Sequence, residues 1–156
     1  MKKRRFFALF LVLGLLVSLL SVPASAFEEI DVDARAALLV EKETGEILYE
    51  KNAHEKNYPA SITKLTVALL VLEAIDAGQL SLDQPITARE SAFEGLSIYG
   101  STAGIKVGEV LTVEQLLQCM LIVSANEACN ILAEAVCGEG NISQFVQRMN
   151  ERAAAL

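Results

Sequence analysis

The stretch YPASITKLTVALLVLEAIDAG, residues 58–78, sets the frame for the rest of the chain. From Ser61 to Ala77 it is rich in Leu, Val, Ala and Ile, and Gly78 stands where a C-terminal stop is expected, so the pattern predicts a helix over 61–77. Its apolar residues, Leu65, Val67, Ala68, Leu69, Leu70, Val71, Leu72, Ala74 and Ile75, cover nearly the whole circumference. A helix tolerates this only when other protein surrounds it, which predicts the central helix of a larger domain. At its start, Pro59 is expected to keep Ala60 extended and to deliver Ser61 at the first turn, where backbone N–H groups lack intrahelical partners.

Upstream, the apolar run Ala36 to Val40 and the segment Glu46 to Glu50 flank Lys42-Glu43-Thr44-Gly45. That pattern predicts a β-hairpin in which Gly45 takes a positive φ. Downstream, residues 83–88 read as a short strand and 91–108 as loop. Thr112 with Gln115 predicts a capping box for a helix reaching about Val123, and a second helix runs from about Ala125 to Val136 and stops at Gly138. Asn141 with Gln144 repeats the capping pattern for a last helix. The chain has no internal repeat and no low-complexity tract.

The N-terminus is of another kind. MKKRRFFALFLVLGLLVSLLSVPASA carries four basic residues, an apolar run from Phe6 to Leu20 and Ala24-Ser25-Ala26 as a small-x-small cleavage signal. These features predict a secretory signal peptide over 1–26 and a mature chain over 27–156, which is exported. An uncleaved anchor needs roughly 20 apolar residues, whereas this run is shorter and ends in Pro23. The whole chain has 13 Lys and Arg against 20 Asp and Glu, a formal charge of −7. Removing Lys2, Lys3, Arg4 and Arg5 takes it to −11, a balance that argues against nucleic acid and against an anionic membrane surface.

Cys119, Cys129 and Cys137 are odd in number and fall in helix-like sequence. If Cys129 and Cys137 share one helix, a rise of ~1.5 Å per residue separates them too far for a bridge. All three are expected to be small buried apolar residues. His54, the only histidine, lies in a polar stretch and reads as a solvated loop residue. Glu28, Glu29, Asp31 and Asp33 show no metal-ligand spacing and read as solvating acids.

Two short motifs remain. Lys64 lies three residues after Ser61, and helical side chains lean toward the N-terminus, so its amine reaches back over the hydroxyl. A neutral lysine can take a serine proton where burial and the positive helix end disfavour the ammonium form, and the free N–H groups can stabilise an oxyanion. With 10 Ser and 7 Lys, about 0.45 chance matches to Ser-x-x-Lys are expected. The pattern therefore draws its weight from its place at the start of an apolar helix and from Ser124-Ala125-Asn126, which falls between two predicted helices.

Placed in this order, the motifs and their flanks resemble the serine-type D-alanyl-D-alanine carboxypeptidases, the low-molecular-weight penicillin-binding proteins. ARAALLVEKETGEILYEKNAHEKNYPASITKL is similar to that family's opening hairpin and nucleophile motif. KVGEVLTVEQLLQCMLIVSANEACNILAEAVCG is similar to its helical segment with Ser-x-Asn, and FVQRMNERAAAL to the start of the following helix. The resemblance implies an α/β (α+β) penicillin-binding-protein or serine β-lactamase-like fold, with an N-terminal β-hairpin and a helical subdomain. It implies Ser61 as nucleophile, Lys64 as its general base, Ser124 as relay to the leaving amine, and Asn126 as orienter of Lys64 and binder of the substrate amide. The implied substrates are peptidoglycan stem peptides, with β-lactams as covalent inhibitors and neither metal nor organic cofactor.

The departures are specific. Glu127 stands where the family more often has Asp, and Gln118-Cys119-Met120 replaces a commoner small residue and Leu. None of the lysines is followed by Thr-Gly, the family's third motif. The resemblance thus implies an N-terminal fragment, inactive alone, whose later sheet strands are missing and whose membrane contact, if any, is through a C-terminal anchor outside it. A serine β-lactamase-like hydrolase shares the first two motifs but usually has Asp at the position of Ala125. A non-catalytic envelope protein binding peptidoglycan or a partner is the reading from a third class. Cleavage after Ala26 is the testable consequence of the leader: intact-mass measurement of secreted protein should find Phe27 at the N-terminus, and a membrane-bound form retaining Met1 would contradict it.

Overall fold

The computed structural model of the chain describes residues 31–156, so the expected signal peptide lies outside the described residues. These residues form two units, one ending at Lys56 and one spanning Asn57–Leu156. The first is the expected hairpin. Strands β1 (Ala37–Val40) and β2 (Ile47–Lys51) pair antiparallel, with Leu39 opposite Tyr49 and an irregularity between Leu39 and Val40. Gly45 closes the turn at φ +75°, a conformation that costs glycine nothing, and its N–H donates to the Glu41 carbonyl at 2.9 Å. The Glu41 carboxylate accepts from both the N–H (2.6 Å) and the hydroxyl (2.7 Å) of Thr44, fixing the turn from the inside.

In the second unit a 3₁₀ turn, Ala60–Ile62, leads into helix α1 (Thr63–Asp76). A two-stranded sheet of β3 (Pro85–Thr87) and β4 (Val110–Thr112) precedes α2 (Val113–Ile122), α3 (Asn126–Cys137) and α4 (Ile142–Ala155). Helix α3 is the hub, packing against α1, α2, α4 and β3. Phe145, Leu116, Met120, Ile131, Leu132, Val71 and Val113 are almost wholly buried around it. Each of these side chains gains roughly 1.5–3 kcal/mol from leaving water, which is why four helices of modest length hold together. Arg152 Nε donates to Glu73 Oε1 at 2.8 Å and ties the last turns of α4 to α1. Among the described residues no helix is long and apolar enough to cross a membrane.

Several expectations need correction. Ala60 is not extended but left-handed, at φ +47°, because a proline restricts the residue before it and places no such limit on the one after. Within the described residues helix α1 is covered on one side, with Val67, Ala68, Val71 and Ala74 buried and Leu65 62% and Leu72 47% exposed, which leaves its expected place at the centre of a larger domain untested. Strand β4 departs from the expectation, since three residues that end on the capping threonine carry no alternation to read; it pairs Ile86 with Leu111. Asn141 does not cap α4 with its side chain, which turns back to donate to the Cys137 carbonyl at 3.2 Å. The three cysteines are free and only half-buried at the edge of the core, with Cys129 and Cys137 both on α3.

The capping box of α2 is complete. Thr112 Oγ1 accepts from the Gln115 N–H at 3.2 Å while Gln115 Oε1 accepts from the Thr112 N–H at 2.9 Å. Thr112→Ala should therefore lower unfolding free energy by about 1 kcal/mol in urea titrations, with the slope of the transition unchanged.

Candidate active site

Ser61 sits in the 3₁₀ turn that opens α1, and Lys64 is the second residue of α1 itself. Ser124 and Asn126 come from the junction between α2 and α3, far along the chain but adjacent in space. Backbone bonds build that junction: the Ala125 N–H donates to the Cys119 carbonyl at 3.1 Å, and the Asn126 N–H donates to the Ser101 carbonyl at 2.9 Å. Ser124 is left-handed at φ +61°, as Ala60 is beside Ser61. Neither residue is glycine, so both conformations are costly and persist because the surrounding packing imposes them.

Two hydrogen bonds join the helix ends. Ser61 Oγ lies 2.8 Å from Ser124 Oγ, with either hydroxyl able to donate. Lys64 Nζ donates to Asn126 Oδ1 at 2.8 Å. All four residues singled out in the sequence are thus brought together, although in this arrangement the hydroxyl partner of Ser61 is Ser124 rather than the Lys64 amine. The expected supply of free N–H groups is smaller than anticipated. The 3₁₀ turn occupies two of them, the Ile62 N–H on the Pro59 carbonyl at 3.0 Å and the Thr63 N–H on the Ala60 carbonyl.

Sequence reasoning did not find what holds Asn126. Glu127, the next residue, is 2% exposed. One oxygen of its carboxylate, Oε1, accepts from Thr102 Oγ1 at 2.6 Å, the Ala103 N–H at 2.7 Å and the Gly104 N–H at 3.1 Å. Burial pushes the Glu127 carboxyl up, but the Thr102 hydroxyl and backbone N–H groups, Ala103's among them, outweigh it and hold the group below the usual carboxylate range. The segment that supplies these donors also places Gly100 against the Asn126 side chain. An acid at the second position of an apolar helix was the available signal; it was noted only as a departure from the family pattern.

Lys64 and Asn126 also line a groove of about 650 Å³ with Pro59, Cys129, Phe145 and Met149. Neither Ser61 nor Ser124 belongs to its walls, and the hydroxyl of Ser61 lies on an exposed residue. Burial pushes the Cys129 thiol up to about 11, only partly offset by Lys64, so it stays protonated near neutrality. His54 is 95% exposed and lies 3.8 Å from Glu50, in the hairpin unit.

The family model described as D-alanyl-D-alanine carboxypeptidase (Peptidase_S11) matches residues 23–156. Among curated relatives, the D-alanyl-D-alanine carboxypeptidase DacF of Bacillus subtilis is 34% identical over 148 residues, covering 90% of this chain and 37% of that protein. DacC of Escherichia coli is 34% identical over 128 residues, covering 80% and 32%. Among solved structures, the carboxypeptidase DacD from Francisella tularensis superposes with a TM-score of 0.73 at 35% identity, covering 82% of this chain and 30% of that one. Penicillin-Binding Protein D2 from Listeria monocytogenes, in its ampicillin-bound form, gives 0.67 at 31% identity, covering 83% and 49%. The chain thus spans about a third of the length of the curated relatives it matches and has the fold of the N-terminal part of these proteins.

The Glu127 clasp sets a pH dependence. Because its folded pKa is lowered, the carboxylate contributes stability that is complete above its unfolded value of about 4.3 and is lost as pH falls through the lower folded one. Glu127→Gln should be less stable than the parent at pH 7, and the gap in thermal midpoint should narrow as pH drops below about 4. Parallel curves would mean the charge contributes nothing.

Proposed function

Because the chain belongs to the D-alanyl-D-alanine carboxypeptidase family, we propose that the protein removes the terminal D-alanine from peptidoglycan stem peptides through an acyl-enzyme on Ser61. The observation that carries this reading is the pair of 2.8 Å bonds, Ser61 to Ser124 and Lys64 to Asn126, that joins the start of α1 to the start of α3. Ser61 Oγ attacks the carbonyl carbon of the penultimate D-alanine. Its proton goes to the Lys64 amine, one helical turn away, which acts as general base. The C–N bond to the terminal residue then breaks, and Ser124, in direct contact with Ser61, relays a proton to the departing amine. Water hydrolyses the ester, restoring the Ser61 hydroxyl and freeing the shortened peptide.

Asn126 has two tasks in this scheme. Its carbonyl oxygen accepts from the Lys64 amine, and its NH₂ group, on the side of Gly100, is left to bond the substrate amide. The N–H groups of Ile62 and Thr63 are engaged in the 3₁₀ turn and so are given no role toward an oxyanion. A β-lactam fits the same chemistry, its strained ring amide opening onto Ser61 Oγ. The Listeria relative is known in ampicillin-bound and cefotaxime-bound forms, which supports this class of inhibitor. Export is part of the same proposal, supported by the leader-like first 26 residues and by a substrate that lies outside the cytoplasm.

Expressed from its own gene and exposed to a fluorescent penicillin, the protein should be labelled on the peptide containing Ser61, and Ser61→Ala should abolish the label. Lys64→Ala should slow acylation by a factor of order 10² to 10⁴. Undiminished labelling of Ser61→Ala by mass spectrometry would place the nucleophile elsewhere.

A further inference from the structure

The segment between the second 3₁₀ turn (Glu90–Phe93) and β4 touches Asn126 twice. Ser101 accepts the backbone N–H of Asn126 at 2.9 Å. Gly100, whose own N–H closes a turn onto the Ser97 carbonyl at 2.9 Å, lies against the Asn126 side chain so closely that a Cβ at position 100 would stand 2.6 Å from Asn126 Nδ2. The same Cβ would stand 3.0 Å from the Ser97 carbonyl oxygen. Gly100 is not among the positive-φ glycines, so conformational freedom is not what calls for glycine there; the missing side chain is.

Two constraints turn this closeness into control. On one side, the segment cannot retreat, because residues 102–104 converge on Glu127 Oε1 and Ser101 is bonded to Asn126. On the other, Lys64 holds Oδ1 and therefore directs Nδ2 toward Gly100. We propose that Gly100 is a positioning residue for the reaction: its bare backbone, clamped by Glu127, is the seat that fixes the Asn126 carboxamide with its oxygen on Lys64. The proposal rests on the carboxypeptidase reading for its kinetic consequence and on geometry alone for its structural one.

An added methyl at position 100 meets both the end of the Asn126 side chain and the Ser97 carbonyl oxygen, so Asn126 must rotate while the turn closed onto Ser97 gives slightly. The larger loss then falls on the site. Gly100→Ala should stay folded with a slightly lowered thermal midpoint and slow acylation by fluorescent penicillin about 10²-fold, the usual effect of a misplacement near 1 Å. In the Asn126→Ala background the same change should have no further effect, because the group it displaces is gone. Parent-like acylation by Gly100→Ala, or an equal slowing with and without Asn126, would overturn the proposal. If Ser61→Ala still takes the label, the carboxypeptidase reading itself fails, and the decision passes to the Asn126 side-chain NH₂ resonances, identified by their loss in Asn126→Asp. These should shift in Gly100→Ala and in Lys64→Met; if they stay in place in Gly100→Ala, the seat does not exist.

Discussion

A carboxylate buried at the first turn of the central helix must collect donors, and Glu127 collects three from one short segment of chain. The rest of the site follows from that demand. The donors come from residues 102–104, so the segment before β4 is drawn onto the N-terminus of α3, where the positive end of the helix also favours the charge. Drawing it there brings Ser101 to the Asn126 N–H and Gly100 to the Asn126 carboxamide. The Lys64 amine, arriving from α1, completes the arrangement by donating to Asn126 Oδ1. A buried acid without these partners would cost several kcal/mol, so the loop and the helix start are ordered together or not at all.

Much of the architecture was legible because it is written in short-range chemistry. Gly45 marked the hairpin, Gly78 and Gly138 marked helix ends, and Thr112 with Gln115 marked a start whose two reciprocal bonds are both present. Where two local signals competed, sequence reasoning failed. Asn141 has the residue type of a cap, yet the Cys137 carbonyl at the end of α3 claims its amide. Strand β4 owes its existence to β3 lying beside it, a tertiary fact that three residues cannot announce. For α1, composition correctly indicated apolar faces, but it does not say which neighbours meet which face; within this chain they meet the side bearing Val67, Val71 and Ala74.

The site was half legible for the same reason. Ser61 and Lys64 are one turn apart, and a helix makes such neighbours automatic. That Ser124 and Asn126 join them depends on the packing of α1 on α3, which the family resemblance suggested and spacing alone could not. Glu127 left only the faint signal of an acid at the start of an apolar helix, and the approach of Gly100 to Asn126 is a tertiary contact with no local signature. The left-handed backbone at Ala60 and Ser124 was equally invisible, since both residue types point away from that conformation. Strain on either side of two bonded hydroxyls is a property of the folded whole.

The half-buried sulfur of Cys129 has a consequence for the oxidising surroundings into which an exported protein would be released. Disulfide exchange and oxidation both begin from the sulfur anion, and a thiol pushed up to about 11 offers that form in about one molecule in 10⁴ at pH 7. Its S–H is further occupied with the Ala125 carbonyl, 3.4 Å away in the preceding turn. Peroxide, quinones and low-molecular-weight disulfides therefore meet little thiolate on the wall beside Lys64. The sulfur thus stays neutral, and the Lys64 amine gains no anionic neighbour from it near neutrality.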